Sequence, residues 1–222
     1  VQQTLASERT ELQRLATSFA NSLEQYKGNV ESMLADGVPA AEWHDAATEL
    51  LGQLSKAERE FVELLIQTLR SEKKTFGEFL GDAIESGPDR RELEICLGAQ
   101  GQWSANTHSV LSKEVDQLLG LQSKKARLEE FIRGYETKDE DFMRSYEVHA
   151  KQELAKFRKV AEDQVDAEEL KHWAHSMLEA EIPNARAELQ RREAQFDEHS
   201  KRFEAALNRI SALANVVRQL TQ

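Results

Sequence analysis

Apolar residues recur every seven positions through much of this 222-residue chain, and this spacing decides what the chain can fold into. Near the start, one series falls at steps of seven and a second falls four residues after three of its members: Leu5, Leu12, Phe19, Tyr26 and Met33, with Ala16, Leu23 and Val30. Alternating steps of four and three place one apolar stripe along a helix. The sequence therefore predicts long helices that pack together as in coiled coils.

Breaker residues divide the chain into five helical segments. Gly37 and Pro39 end the first segment, and Pro39 also suits the first turn of the second. The second segment ends at Gly87 and Pro88, and the third covers residues 90–133. The fourth and fifth segments follow on either side of a third proline.

Two junctions bound the fourth segment, which covers residues 137–182. Gly134 is the only breaker before it, so the third helix either ends there or continues through it. Thr137 followed by Glu140 fits a capping box that would start a new helix. Pro183 disfavours helical geometry at Ile182, so a true break between the fourth and fifth segments is predicted.

The fifth segment becomes more apolar toward the end of the sequence. Positions three residues after its main series are polar at Arg192 and His199 and apolar from Ala206 onward. This gradient predicts a contact surface at the far end of the helix, in a dimer or in a longer parent protein. The predicted dimer seam consists of Phe203, Ile210, Leu213, Val217 and Leu220.

The composition agrees with long helices, since the chain has only 10 Gly and 3 Pro and 31% of its residues are charged. No segment shows the sustained alternation of a β-strand. We therefore expect an all-α fold, an elongated antiparallel bundle of about five long helices with coiled-coil packing. Residues 1–182 would form the bundle, and residues 183–222 would form a heptad helix that packs on it or dimerises.

The sequence contains no motif for catalysis or cofactor binding, so we expect a non-enzymatic protein without cofactors or metals. Glu169 and His172 have the spacing used in di-iron bundles, but such a site needs a second pair and two more glutamates. The single cysteine, Cys96, lies between apolar neighbours and is expected to be buried. It cannot form an internal disulfide, which fits a reducing compartment such as the cytoplasm.

Charge distribution limits the partners of the chain. Its net charge of −11 argues against general binding to nucleic acid. No run of apolar residues is long enough for a transmembrane helix. The candidate residues for binding an anionic surface form two clusters: Lys124, Lys125 and Arg127, and Lys156, Arg158 and Lys159. These residues either pair with nearby glutamates on solvated faces or meet an acidic membrane.

The stretch "VDQLLGLQSKKARLEEFIRGYETKDEDFMRSYEVHAKQELAKF" combines basic residues with an aromatic run near a junction between helices. Over residues 41–180 this pattern resembles the BAR superfamily. The resemblance implies a crescent-shaped helical dimer that binds or senses membranes, with both basic clusters facing the membrane. Two features depart from that family: the net charge is −11, and five segments exceed the three long helices of a BAR protomer.

Two functions are therefore expected for this chain. The first is a non-enzymatic interaction and dimerisation module that acts as a BAR-like membrane-binding domain at the periphery of the membrane. The alternative is a regulatory or signal-transmitting coiled-coil scaffold that binds protein partners and dimerises an attached output domain. Both predict a cytoplasmic homodimer with protein partners and without nucleic acid, and the first adds an anionic membrane surface.

Overall fold

The computed structural model describes residues 2–36, 40–83, 91 and 100–220, and these residues contain helices but no strands. They form six α-helices and one 3-10 turn: α1 Gln2–Asp36, α2 Ala40–Ser71, α3 Phe76–Ala83, α4 Gln100–Glu136, α5 Glu140–Arg158, the turn Glu162–Gln164, and α6 Ala167–Leu220. The predicted all-α class is confirmed. The position of Cys96, which the sequence predicts to be buried, lies outside the described residues.

Contacts between residues divide the chain into two compact units. Unit 1 is Val1–Gly120 with Glu198–Gln222, and unit 2 is Leu121–Asp197. This division differs from the predicted boundary after residue 182. The boundaries at residues 120 and 197 fall inside α4 and α6, so each unit contains part of both helices.

The first two helices of unit 1 form an antiparallel pair. Arg9 in α1 forms an ion pair with Glu72, just after α2. Ten residues further along α1, Phe19 stacks on Phe61 with their ring centroids 5.6 Å apart. As the residue numbers increase along α1, those of their partners in and after α2 decrease. The two helices therefore run in opposite directions. An aromatic pair of this kind adds about 0.5–1.5 kcal/mol to the gain from burying both rings.

Helices α4 and α6 complete a four-helix bundle with α1 and α2 in unit 1. Side-chain pairs join the other neighbours: His44–Asp116 and Glu58–His108 for α2 and α4, Glu114–His199 for α4 and α6, and Tyr26–Phe203 for α1 and α6. Leu23 and Leu207 line one groove beside the Tyr26–Phe203 contact, so α1 and α6 are also antiparallel. The bundle therefore runs up, down, up and down in the order α1, α2, α4, α6.

The predicted apolar stripes fill the interior of unit 1. The enclosed side chains include Leu12, Phe19, Leu23, Tyr26, Val30, Leu54, Phe61, Leu111, Val115, Phe203 and Ile210. A fully buried side chain of this size contributes about 1.5–3 kcal/mol relative to an exposed one. The steps of four and three in α1 and in the second half of α6 thus correspond to one shared core.

The second predicted segment is interrupted, because α2 ends at Ser71 and α3 begins at Phe76. Thr75 supplies the cap: its hydroxyl accepts from the Glu78 amide at 3.3 Å, and the Glu78 carboxylate accepts from the Thr75 amide at 2.8 Å. This reciprocal pair is a capping box. Lys73 in the connection has φ +54°, a left-handed conformation that ends the preceding helix.

In unit 2, α6 packs first against α5 and then against α4. Arg158 of α5 pairs with Glu169, and Phe157 lies against Trp173. Further along α6, Arg186 pairs with Glu136 of α4 at 2.6 Å. The core is formed by Tyr146, Ala150, Ala174 and Leu178, with Phe131, Tyr135, Phe142, Met143, Leu170, Trp173 and Met177 packed around it.

The break between α4 and α5 is present, but its predicted cap is wrong. Asp139 is the N-cap, and its carboxylate accepts from the Phe142 amide at 2.9 Å. The Thr137 hydroxyl instead donates to the carbonyl of Arg133. Gly134 lies inside α4, where a Cβ atom would stand 2.5 Å from the Phe142 ring. The glycine is therefore required for close packing and does not end the helix.

The predicted continuous segment 137–182 is also wrong, because the chain breaks between α5 and α6. Lys159 has φ +57°, and the amide of Val160 donates to the carbonyl of Ala155, which together form a Schellman motif. Asp166 then caps α6 by accepting from the amides of Glu168 and Glu169 at 3.0 Å. Asp and Lys in these positions are weaker signals than the glycine or proline that usually marks a break.

The predicted break at Pro183 is absent, since α6 continues through it from Ala167 to Leu220. Proline removes one intrahelical hydrogen bond and crowds the preceding turn. The carbonyl that loses its donor is that of Glu179, and the Asn184 side chain donates to the next carbonyl, that of Ala180, at 3.2 Å. Ile182 and Ala185 are both buried, so packing holds the helix on either side of the proline.

Candidate functional site

The first predicted basic cluster lies on α4 in unit 2. Lys124 and Arg127 are exposed. The ammonium of Lys125 lies 5.1 Å from the centroid of the Phe196 ring in α6, a cation–π contact that joins the two helices. Lys125 therefore already has a structural partner, and Lys124 and Arg127 are the members of the cluster that face solvent.

The second predicted cluster lies at the end of α5. Lys156 pairs with Glu153 at 2.7 Å, and Arg158 pairs with Glu169 at the start of α6. The Lys156 ammonium lowers the pKa of the Glu153 carboxyl through a hydrogen bond and its charge. Lys159 adopts the left-handed conformation that ends the helix. Two of these three cations thus have carboxylate partners, and cations at a helix C-terminus also offset its dipole.

The two basic clusters do not form one surface patch. Along α6, the partner of Lys125 is residue 196, and the partner of Arg158 is residue 169. At 1.5 Å per residue these positions are about 40 Å apart. The hypothesis that the clusters converge on one compact site is therefore not supported by their placement within unit 2.

An exposed apolar surface lies beside the second cluster, and we name it the turn patch. It consists of Phe157 and Val160 at the end of α5 and of Trp173 in α6. Phe157 is 73% exposed and Val160 is 39% exposed. The rings of Phe157 and Trp173 lie 5.5 Å apart at 31°, so Trp173 covers only one side of the phenyl ring. Such a surface is uncommon for an aromatic side chain on a folded protein.

The turn patch was not predicted as a site from the sequence. Phe157 continues the spacing of Tyr146, Ala150 and Leu154, which are all buried, so the pattern alone predicts a core position. The helix ends one residue later at Arg158, and no neighbouring helix of the described residues covers the outer side of the ring. The missed break at residue 159 was therefore the signal that could have identified it.

Acidic residues follow the turn patch along the chain. Residues 162–169 include Glu162, Asp163, Asp166, Glu168 and Glu169, and they contain no Lys or Arg. Three of these carboxylates have structural roles, since Asp166 caps α6, Glu169 pairs with Arg158, and Glu168 pairs with Lys171. Glu162 and Asp163 are exposed. The turn between α5 and α6 therefore presents an aromatic surface with acidic groups beside it.

The indole nitrogen of Trp173 lies beneath this surface. Its Nε1 atom is buried and has no hydrogen-bond partner among the described residues. Most buried donors in proteins are paired, and an unpaired one costs about 1–3 kcal/mol. The exposed Phe157 ring is the aromatic neighbour that covers this indole.

Unit 1 contains buried polar groups of a different kind. His108 Nε2 lies 2.5 Å from Glu58 Oε2, and His108 Nδ1 contacts the Ser55 hydroxyl. This Ser–His–Glu row resembles the order of a hydrolase triad. Ser55 also donates to the carbonyl of Leu51 at 2.8 Å, and the helix amides around it are committed to intrahelical bonds. They cannot form an oxyanion hole, so the row serves to link α2 to α4.

Helix α4 is also linked to α6, through His199 Nδ1 and Glu114 Oε2, which are 2.5 Å apart. Glu114 is buried and His199 is half-buried. No group of three or more potential metal ligands occurs among the described residues. Glu169 and His172, which have the spacing of a di-iron site, do not form one there, since Glu169 pairs with Arg158.

The predicted dimer seam lies inside unit 1. Phe203, Ile210, Leu213 and Val217 are all buried there, while the side chain of Leu220 is outside the described ones. Tyr26 in α1 contacts Phe203 directly. These four residues therefore pack against the chain's own helices and do not offer an apolar surface to a second copy.

No family model, curated protein or solved structure matches this chain. The resemblance to the BAR superfamily therefore rests on the sequence pattern alone. None of the helices in the described residues is long and apolar enough to cross a membrane. A function for this protein must consequently be argued from its own surfaces.

Proposed function

We propose that this chain is a non-enzymatic interaction module that binds a protein partner through the turn patch. The observation that carries this proposal is the 73% exposure of Phe157, held against Trp173 beside the Arg158–Glu169 ion pair. Aromatic residues and arginine are the side chains most enriched at the energetic centres of protein interfaces. Burial of the phenyl ring by a partner would contribute about 1.5–3 kcal/mol.

The turn that carries the patch is well fixed for binding. The Schellman motif at Lys159 and the cap at Asp166 hold its two ends, and the Arg158–Glu169 pair crosses between them. An anchor held in place before binding loses less conformational entropy when the partner arrives. This arrangement supports a scaffold function, in which a rigid helical unit presents one aromatic anchor.

Phe157→Ser tests this function, with Val148→Ser as the matched control. Val148 is also on α5 and is 57% exposed, but it is not part of the turn patch. Proteins that become crosslinked to the wild-type chain and to Val148→Ser should not become crosslinked to Phe157→Ser, while all three chains stay folded and Phe157→Ser loses at most about 1.5 kcal/mol with its ring contact to Trp173. Equal capture by the three chains would refute the proposal.

Binding to an anionic membrane in the manner of a BAR-like domain is the second candidate. It is favoured by the exposed Phe157 and Val160, which lie beside the cations Lys156, Arg158 and Lys159, since basic and aromatic residues together favour membrane interfaces. The ion pairs to two of these cations and the nearby acidic run weaken the electrostatic attraction. The predicted dimer seam is buried within one chain, so it is not available as the surface through which a BAR-like domain would form a homodimer.

Co-sedimentation with vesicles rich in phosphatidylserine distinguishes the two candidates. Membrane binding predicts that the wild-type chain sediments at low salt and that reversal of Lys124, Lys125, Lys156 and Lys159 to Glu abolishes this. Protein binding predicts no sedimentation with or without the reversals. Sedimentation that depends on these lysines would replace the first candidate by the second.

A further inference from the structure

We infer that the partner segment recognised by the turn patch is a basic amphipathic helix. This inference rests on the proposed function and adds the chemistry of the partner to it. The patch combines an exposed aromatic ring with an acidic border, and both properties select the partner. An apolar face would cover Phe157, and basic residues on its margins would meet the carboxylates.

The charges of the turn favour a basic partner over an acidic one. Lys156 and Arg158 are paired with Glu153 and Glu169, so Lys159 is the one cation of the cluster without a carboxylate partner among the described residues. Glu162 and Asp163 are exposed, and only Ala161 separates them from Val160 of the patch. A partner that approaches Phe157 therefore meets two uncompensated carboxylates against one uncompensated ammonium, and complementary charge on the partner would fix its orientation.

The apolar part of the surface favours a helix over an extended strand. The helices α5 and α6 place Phe157, Val160 and Trp173 at the junction of two helices, and no strand edge among the described residues is available for pairing. Peptides that bind between helices do so through residues spaced at i, i+3, i+4 and i+7. A single apolar stripe of this spacing can cover Phe157 and Val160 together.

A defined probe tests the inference with the full chain. The probe is an amphipathic peptide of about 18 Leu and Lys residues, long enough to form a helix. Controls are a peptide with Glu at every Lys position and a scrambled peptide of the same Leu and Lys composition. Titration calorimetry at an ionic strength of about 0.15 M limits non-specific attraction to the acidic chain.

Charge reversal at the turn is compared with an equal reversal elsewhere. Glu162→Lys with Asp163→Lys changes the acidic border, whereas Glu140→Lys with Asp141→Lys changes the other end of α5 by the same net charge. Asp141 is 97% exposed, so its reversal leaves the core unchanged. We expect the first pair and Phe157→Ser to weaken binding of the Leu–Lys peptide by at least about tenfold. The second pair and Val148→Ser should change it by less than about twofold.

The outcomes separate this inference from the proposed function. Comparable weakening by both charge reversals, equally tight binding of the acidic or scrambled peptide, or no binding of the Leu–Lys peptide overturns the inference. If Phe157→Ser still removes the crosslinked proteins in that case, the proposed function stands and only the chemistry of the partner is wrong. If Phe157→Ser leaves crosslinking and peptide binding unchanged, both are wrong.

Discussion

The two units differ in how completely they cover their aromatic side chains. In unit 1, the apolar stripes of four helices enclose one another, and Phe19, Phe61 and Phe203 are all buried. In unit 2, the turn between α5 and α6 leaves Phe157 73% exposed. Polar pairing does not separate the units, since each contains a buried indole nitrogen without a hydrogen-bond partner among the described residues, that of Trp43 in unit 1 and that of Trp173 in unit 2. The comparison indicates that unit 1 is built for stability and that the surface available for binding lies in unit 2.

The largest expected effect comes from breaking a buried pair in unit 1. His108→Ala removes the imidazole that lies 2.5 Å from the buried Glu58 carboxylate, and the loss of this buried hydrogen bond should cost about 3 kcal/mol of unfolding free energy. His44→Ala removes an exposed pair with Asp116 and should cost less than about 1 kcal/mol. Urea denaturation followed by circular dichroism measures both changes. Similar small losses for the two variants would show that the polar interior of unit 1 contributes little.

The next largest change in stability is expected from substitution of Pro183 in unit 2. Because α6 continues through it, Pro183→Ala should restore one hydrogen bond and stabilise the chain by up to about 3 kcal/mol. Asn184→Ala removes the side-chain bond to the Ala180 carbonyl and should destabilise by about 1 kcal/mol. Thermal melts test whether Pro183→Ala raises the melting temperature and Asn184→Ala lowers it. A destabilised Pro183→Ala would mean that α6 depends on the geometry that proline imposes.

Alkaline pH should affect both units through one buried tyrosine in each. Burial raises the pKa of Tyr26 and, as a second cause, so does the charge of Asp116. Burial also raises the pKa of Tyr146, and Glu181 adds to the shift. Tyrosine in an unfolded chain ionises near pH 10, so the stability from each neutral phenol is complete below that pH and is lost as pH rises above it.

The slope of this loss is about 1.4 kcal/mol per pH unit for each tyrosine until its folded-state pKa is reached. Unfolding free energies measured between pH 9 and about pH 11.5 should therefore decline. Tyr26→Phe and Tyr146→Phe should each remove the part of this decline in unfolding free energy that is due to the substituted tyrosine. An unchanged slope in either variant would contradict the role of that tyrosine.

The smallest expected effect concerns the left-handed lysine that ends α5. Lys159 has φ +57°, a conformation that glycine adopts without steric cost, so Lys159→Gly should stabilise by about 1 kcal/mol. Lys151→Gly, in the middle of the same helix, should instead destabilise by about 1 kcal/mol. Opposite shifts in the melting temperature would support the assigned break. Destabilisation by both would place residue 159 inside a helix.

The sequence predicted the core of unit 1 better than the surface of unit 2. Spacing of seven identifies Phe19, Tyr26, Phe203 and Ile210 as interior residues, because a long apolar stripe must be covered. It does not specify what covers the stripe, so Phe203 and Ile210 were assigned to a dimer seam although helices of the same chain enclose them. Periodicity thus indicates burial but not the identity of the partner.

Helix boundaries show the same limit. A break was predicted at Pro183, where packing of Ile182 and Ala185 maintains the helix, and the break at residues 159–166 was missed. That break depends on Lys159 in a left-handed conformation and on the cap of Asp166, which are local choices without a strong residue signature. Because the exposure of Phe157 follows from this break, the candidate site was missed together with the break.

The most direct test of the account measures stability and binding together for two variants, one from each unit. Phe157→Ser loses only the ring contact with Trp173, about 0.5–1.5 kcal/mol, so it should stay folded, melt no more than about 6 °C below the wild-type chain, and lose the crosslinked partner. Ile210→Asp buries a charge in unit 1 and should unfold the chain at a much lower temperature. Retained crosslinking by a stably folded Phe157→Ser would contradict the central claim that the turn patch is the binding surface.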